Sequence, residues 1–353
     1  RFKKDATVER IIDFFIKIAT YNDGEDCQEW IDVITTQLIE YCLSKQNAKN
    51  KSVRYRVCDI IGRLLKNMAE TYELDEDLWE RLEDVLVMRL KDKIPQVRQR
   101  AAFAVHRLSD PSSEECKVRI GLATMMDFDS NKDCRREALK SIDLHRKTVK
   151  IILRRCRDTS EEVRKAAFER LHQVDIRALS IRQRVDLLKS GLTERSEIVK
   201  KSCITLLCDR WLKNRDNDII ELLKLLDIEQ YETEAEIVLN TIFDSEVALT
   251  VDPPPYNLSD HSNEHFFYWR CQIEWFSKQK PIPMQQEIDD AMPDPVNFIK
   301  LFDDNDNDNT NNYVLQQLLI LARYLNLQDE YSRSALSRIG IKLLESYNVE
   351  NTS

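Results

Sequence analysis

Apolar residues recur along this chain at the spacing of one helix face, and they do so five times in register. The copies start at the apolar-basic pairs Val53-Arg54, Val97-Arg98, Cys134-Arg135, Val163-Arg164 and Val199-Lys200. Four residues on stand Val57, Ala101, Ala138, Ala167 and Cys203, and eight on stand Ile61, Val105, Ile142, Leu171 and Leu207. An i, i+4, i+8 stripe of this kind buries one side of an α-helix, here called helix B. The small residue in the middle of the stripe lets neighbouring helices approach closely. Upstream of the last four anchors lies a second apolar helix, helix A, over 78–90, 118–126, 148–156 and 181–188. Five residues before each anchor stands an acid, Asp92, Asp129, Asp158 or Glu194, except in the first copy, where Ala48 takes the place. That acid is placed to cap helix B or to receive the basic residue beside an anchor, its own or its neighbour's.

Five aligned copies of helix A, acidic turn and helix B, spaced 44, 37, 29 and 36 residues apart, predict an all-α fold. The period is that of a HEAT-repeat α-solenoid of antiparallel helix pairs. Residues 1–246 are read as this array, with 218–226 and 234–243 as a weaker sixth pair. Residues 247–262, containing Pro253-Pro254-Pro255, read as a linker or loop. Residues 263–353 read as further HEAT-like helices, interrupted by a disordered Asn/Asp-rich loop at 303–312. The segment opens on the aromatic helix EHFFYWRCQIEWF, where core packing accounts for the rings. Composition agrees: five glycines and nine prolines in 353 residues leave little material for βα turns or hairpins, and 33 % charged residues suit many half-exposed helices. No run approaches the length of a membrane span. The nine scattered cysteines read as reduced thiols, and the opening RFKKDATVERIIDFF reads as the start of a fragment at a helix.

The net charge of −9 is unevenly placed. Residues 41–210 hold 37 basic against 27 acidic side chains, and 131–157 alone hold ten against three. Because charge acts within about 8 Å in physiological salt, this local surplus matters more than the total. The A–B turns of a solenoid share one rim, which places Lys45, Lys49, Lys51, Lys91, Lys93, Lys132, Arg154, Arg155 and Arg157 together. Early helix B adds Arg54, Arg98, Arg100, Arg135 and Arg136. Such a row can track a phosphate backbone. For Arg98, Arg135 and Arg164 an acid–arginine ladder between repeats is the competing reading.

The strings KSVRYRVCDIIGRLL, MRLKDKIPQVRQRAAFAVHRLSDP and DTSEEVRKAAFERLHQVDIRALSIRQRVDLLKSGLTERSEIVKKSCITLLCDRWL, with NDIIELLKLLDIE and FFYWRCQIEWF after them, carry a family resemblance. They are similar to the condensin HEAT-repeat subunits of the CAP-G type, also called condensin subunit 3, and match their N-terminal part. The resemblance implies a non-catalytic subunit that binds a segment of the kleisin subunit and, with it, double-stranded DNA without sequence specificity. It implies a link to the SMC ATPase dimer through the kleisin, a role in mitotic chromosome condensation, and a place in the nucleus and on chromosomes, with a cytoplasmic phase. It leaves the kleisin-contacting residues unassigned. The alternatives are a HEAT-repeat scaffold or adaptor, or a HEAT subunit of another SMC complex such as cohesin, without DNA contact in this chain.

Catalysis and metal binding find no support. The chain has no GxxxxGK[ST], GxGxxG or GxSxG. His261 and His265 lack the glutamate of HExxH. Asp304, Asp306 and Asp308 start a calcium-loop spacing that fails at Asn309 and Leu315, where glycine and glutamate are needed. No cofactor, membrane or small-molecule substrate is expected.

Overall fold

The computed structural model describes residues 5–20, 28–68, 74–110, 113, 115–245, 262–278, 295–305, 312–325 and 330–350. Every element among them is helical. They fall into two compact units, Arg1–Val174 with Ser196–Ser202, and Asp175–Arg195 with Cys203–Ser353.

The first unit holds α1 (Ala6–Ala19), α2 (Gln28–Lys45), α3 (Lys51–Asn67), α4 (Glu76–Arg89), α5 (Pro95–Val105), α6 (Lys117–Phe128), α7 (Lys132–Ser141), α8 (Arg146–Arg155) and α9 (Glu161–Leu171). The B helices α3, α5, α7 and α9 stack side by side in one row, and the A helices α4, α6 and α8 form a second. Each A helix also packs on its own B helix. The repeat stripe is the reason. Its residues are buried in all five copies, Val53 alone being partly exposed. Ala101 and Ala138 lie at the centre of the B row with no exposed surface, so adjacent backbones close to the distance that small side chains allow.

An arginine–aspartate ladder stitches the turns before the B helices. Arg54 grips Asp92 with Nε and Nη2 at 2.8 and 3.1 Å. Arg98 grips Asp129 at 2.7 and 2.8 Å, and Arg135 grips Asp158 at 2.9 and 2.7 Å. Each pair is bidentate and joins one repeat to the next. The remaining Nη1 turns back onto its own repeat, donating to the carbonyl of Ala48, Asp92 or Asp129. Arg164 does the same to Asp158. The first repeat therefore needs no acid at position 48, because only its backbone oxygen is used. The carboxylates do not cap the B helices as expected. Each accepts instead from the backbone N–H two residues on, at Ile94, Asn131 and Ser160, and so fixes the turn itself. For α7 the cap is Asn131.

In the second unit, α10 (Ile181–Leu192) is followed, after the short α11 (Glu197–Ile204) that begins in the first unit, by a π-helical stretch over Thr205–Leu212. A five-residue register brings Leu206 over Trp211 and Leu207 over Leu212, all four buried, which a 3.6-residue turn would splay. Next come α12 (Ile219–Lys224), α13 (Glu232–Asp244) and the aromatic α14 (Asn263–Lys278). Phe266, Trp269, Ile273 and Phe276 form a core with Phe298, Leu318 and Leu321, while Phe267 packs with Leu239 and Phe243. Helices Pro295–Asn305, Asn312–Leu321 and Glu330–Glu350 complete the unit. The first of them runs on through 303–305, so the Asn/Asp-rich segment expected as a loop over 303–312 begins in helix. Residues 306–311 and the proline-rich stretch 246–261 lie outside the described residues.

Removing one ladder carboxylate leaves a mostly buried guanidinium without its anion. Asp129→Ala is expected to cost about 3 kcal/mol in a denaturant titration. Acid acts on the same bonds. Burial pushes the Asp92 carboxyl upward, but bonds from Arg54, the Ile94 N–H and Arg89 overcome it and hold the pKa at about 2, below the ordinary 3.8. Asp129 and Asp158 are lowered in the same way. A depressed carboxyl stabilises fully above its unfolded value and loses that contribution as pH falls through its folded value. Thermal melts should therefore lose stability between about pH 4 and pH 2, and the loss should be smaller in Asp92→Asn.

Candidate nucleic-acid interface

The ladder bonds each A–B turn to the next, so these turns stand in a row along one edge of the first unit. Packed helices sit roughly 8–10 Å apart, which sets the step of the row. Its side chains belong to tight turns pinned on both sides. Asp92 is buried at 8 % exposure between Lys91 and Lys93, so the acid points inward while both lysines point to solvent.

The cations predicted for this edge divide by their partners. Lys49, Lys91 and Lys93 are exposed and have no carboxylate partner among the described residues. Lys45 is exposed, with its ammonium 5.5 Å from the Tyr41 ring. Lys51 and Arg157 are exposed in the first and fourth turns. Lys132 is half exposed and pairs at 3.1 Å with Glu162, an equally open side chain, so that pair is weak and exchangeable. Arg136 lies 3.0 Å from Asp133 and 3.4 Å from Glu162. Arg154 bonds Asp127 at 2.6 Å with its side chain still 61 % exposed, and Arg155 reaches Asp158 at 3.1 Å.

Four of the arginines expected to meet phosphate are turned to partners within the protein. Arg54, Arg98 and Arg135 commit Nε and both Nη groups to the ladder, so their charge is neutralised within the protein. Arg100 turns away from the edge. It bonds the Tyr55 hydroxyl at 3.1 Å, lies 3.3 Å from the fully buried Asp59, and stacks over the Tyr55 and Phe103 rings. Asp59 also meets Arg63 at 3.0 Å, and Glu9 of α1 ties Arg56 and Arg63. A cation facing that buried acid is structural. The signal available in the sequence was Asp59 itself, an acid inside the apolar helix YRVCDIIGRLL.

The other chemical readings gain nothing from the geometry. No group of three metal-ligating side chains converges among the described residues. No disulfide joins two of the described cysteines and all but Cys208 are buried, and burial pushes the Cys58 and Cys203 thiols up to about 12, far from nucleophilic. Among the described residues no helix is long and apolar enough to cross a membrane.

No family model matches the chain. It is 33 % identical to condensin complex subunit 3 of Homo sapiens across 95 % of its own length and 36 % of the human protein. It is 34 % identical to condensin complex subunit 3 of Schizosaccharomyces pombe across 69 % of its length and 28 % of that protein. The chain thus spans about a third of the length of the curated relatives it matches. Its fold superimposes on the crystal structure of the S. pombe condensin Cnd3–Cnd2 subcomplex with a TM-score of 0.75 at 26 % identity, covering 94 % of this chain and 46 % of the other. A HEAT-type helix array, a basic edge and these likenesses agree: the chain is a homologue of condensin complex subunit 3.

Proposed function

We propose that this chain is a non-catalytic condensin subunit that holds double-stranded DNA against its turn edge, together with a kleisin segment. The carrying observation is the exposed lysines of two successive turns, Lys49 in one and Lys91 and Lys93 in the next, unopposed by carboxylates. Such charges meet phosphates without reading bases, so the reading is sequence-indifferent binding of the DNA backbone. Lys45, Lys51, Lys132, Arg136, Arg154, Arg155 and Arg157 extend the same surface. The acid–arginine ladder supports the proposal by neutralising the carboxylates that would otherwise repel phosphate.

The S. pombe structure with Cnd2 supports a kleisin as the protein partner. The SMC ATPase dimer is then reached through that kleisin. Action on chromosomes would put the protein in the nucleus and on chromosomes, with a cytoplasmic phase for part of the cell cycle. Mitotic chromosome condensation is the process this assembly serves.

The test is fluorescence anisotropy of a labelled duplex across a salt series, with the full chain alone and with a condensin kleisin segment. Lys49→Glu/Lys91→Glu/Lys93→Glu should lower the log–log salt slope by about 0.9 per lost phosphate contact, roughly 3 in all. Its melting should stay within about 0.5 kcal/mol of the parent chain, since these side chains are exposed. Tight kleisin binding with no DNA binding in either form would make the chain a docking scaffold.

A further inference from the structure

A concave surface lies at the end of the B helices opposite the turn lysines. Residues 62–68 of the α3 end, 103–107 of the α5 end and 137–141 of α7 enclose a cleft of about 900 Å³. About ten residues of helix separate it from the turn lysines, or roughly 15 Å. Gly62 lines it and lets Phe103 pack closely there. A Cβ there would stand 2.7 Å from the Phe103 ring and 3.0 Å from the Ala104 backbone. Without one, the Phe103 ring packs directly on α3 at Gly62. The floor is apolar, made of Leu65, Met68, Ala104 and the half-exposed Phe103.

The walls are basic. Lys66 and Lys140 are exposed on facing sides, against a single acid, Glu137. The Lys66 ammonium sits 5.9 Å from the Phe103 ring. Helix C-termini would normally make such a place negative. Here the end carbonyls are already taken. Arg107 donates to the carbonyls of Leu65 and Met68. His106 Nδ1 donates to the Ser141 carbonyl at 2.7 Å, since that oxygen only accepts. The two lysines therefore face an apolar floor without a compensating field from the helix ends.

We propose that this cleft binds an acidic linear peptide through one bulky apolar side chain laid on Phe103, with flanking carboxylates on Lys66 and Lys140. Duplex DNA fits the same residues less well. Its phosphates would use the lysines and leave the apolar floor empty, because a convex backbone does not reach the bottom of a concave cleft. The site does not depend on the DNA reading, because it shares no residue with the turn edge.

The experiment uses the full chain and a fluorescein-labelled twelve-residue peptide of Glu, Asp and Ser with one central Phe. Its controls are the same peptide with Phe→Ser and one with Lys replacing Glu and Asp. Saturable binding of the acidic Phe peptide is expected, at least tenfold tighter than either control. Lys66→Glu/Lys140→Glu should weaken it at least tenfold, and Lys66→Arg/Lys140→Arg should retain it. The turn variant Lys91→Glu/Lys93→Glu should leave it unchanged. Three results would overturn the proposal. One is no binding. Another is equal binding of the Phe→Ser peptide. The third is a Lys66/Lys140 reversal that weakens duplex DNA and not the peptide, which would give the cleft to the nucleic acid.

Discussion

The structure of the first unit depends on the bidentate bond between each repeat's arginine and the next repeat's aspartate. Apolar stripes make helices adhere, but they tolerate sliding, because one small residue packs much like another. The Arg54–Asp92, Arg98–Asp129 and Arg135–Asp158 bonds do not tolerate it, since a planar fork meets a carboxylate in one geometry. They convert a stack of greasy helices into a stack with one register. That register lines up the turns, and the lined-up turns present lysines at a regular step.

The same bond explains how a chain of net charge −9 can carry a basic edge. The three ladder acids of these turns are nearly buried and already neutralised. Lysines on either side of them have longer, solvent-seeking stems and stay outside. Sorting by side-chain length and geometry thus separates the charges that hold the fold from those available to a partner. At the far end of the B helices the sorting is different. There Arg107 and His106 quiet the carbonyls while Lys66 and Lys140 remain outward.

Much of this was legible in the residues. The five stripes located every B helix of the first unit, because burial of a helix face leaves a periodicity that no other structure imitates. Acid and arginine positions announced a ladder. Its exact wiring was hidden, because a position five residues before an anchor does not say whose arginine it serves. The role of Arg100 was hidden too. It depends on Asp59, which lies 41 residues away in sequence and is brought near only by stacking α5 on α3. The widened winding at Thr205–Leu212 gave no local sign, since TLLCDRWL holds no proline or glycine to mark a departure from an ordinary helix. Gly62 did give one: a glycine inside a helix invites the question of what approaches it, and the answer is Phe103.

The ladder also decides where this chain can vary in length. Its three bonds have one geometry, yet their partners stand 38, 31 and 23 residues apart. The stretch from acid to anchor is constant, so all of that difference falls in the helices and in the connectors leading from one B helix to the next A helix. The B-helix ends from which those connectors depart lie at the edge without the ladder. Insertions and deletions there change repeat size without disturbing register, whereas one residue added between Asp92 and Arg98 would move a guanidinium off its carboxylate. Over evolutionary time the two edges should therefore age differently, one held to a fixed count and the other free to drift.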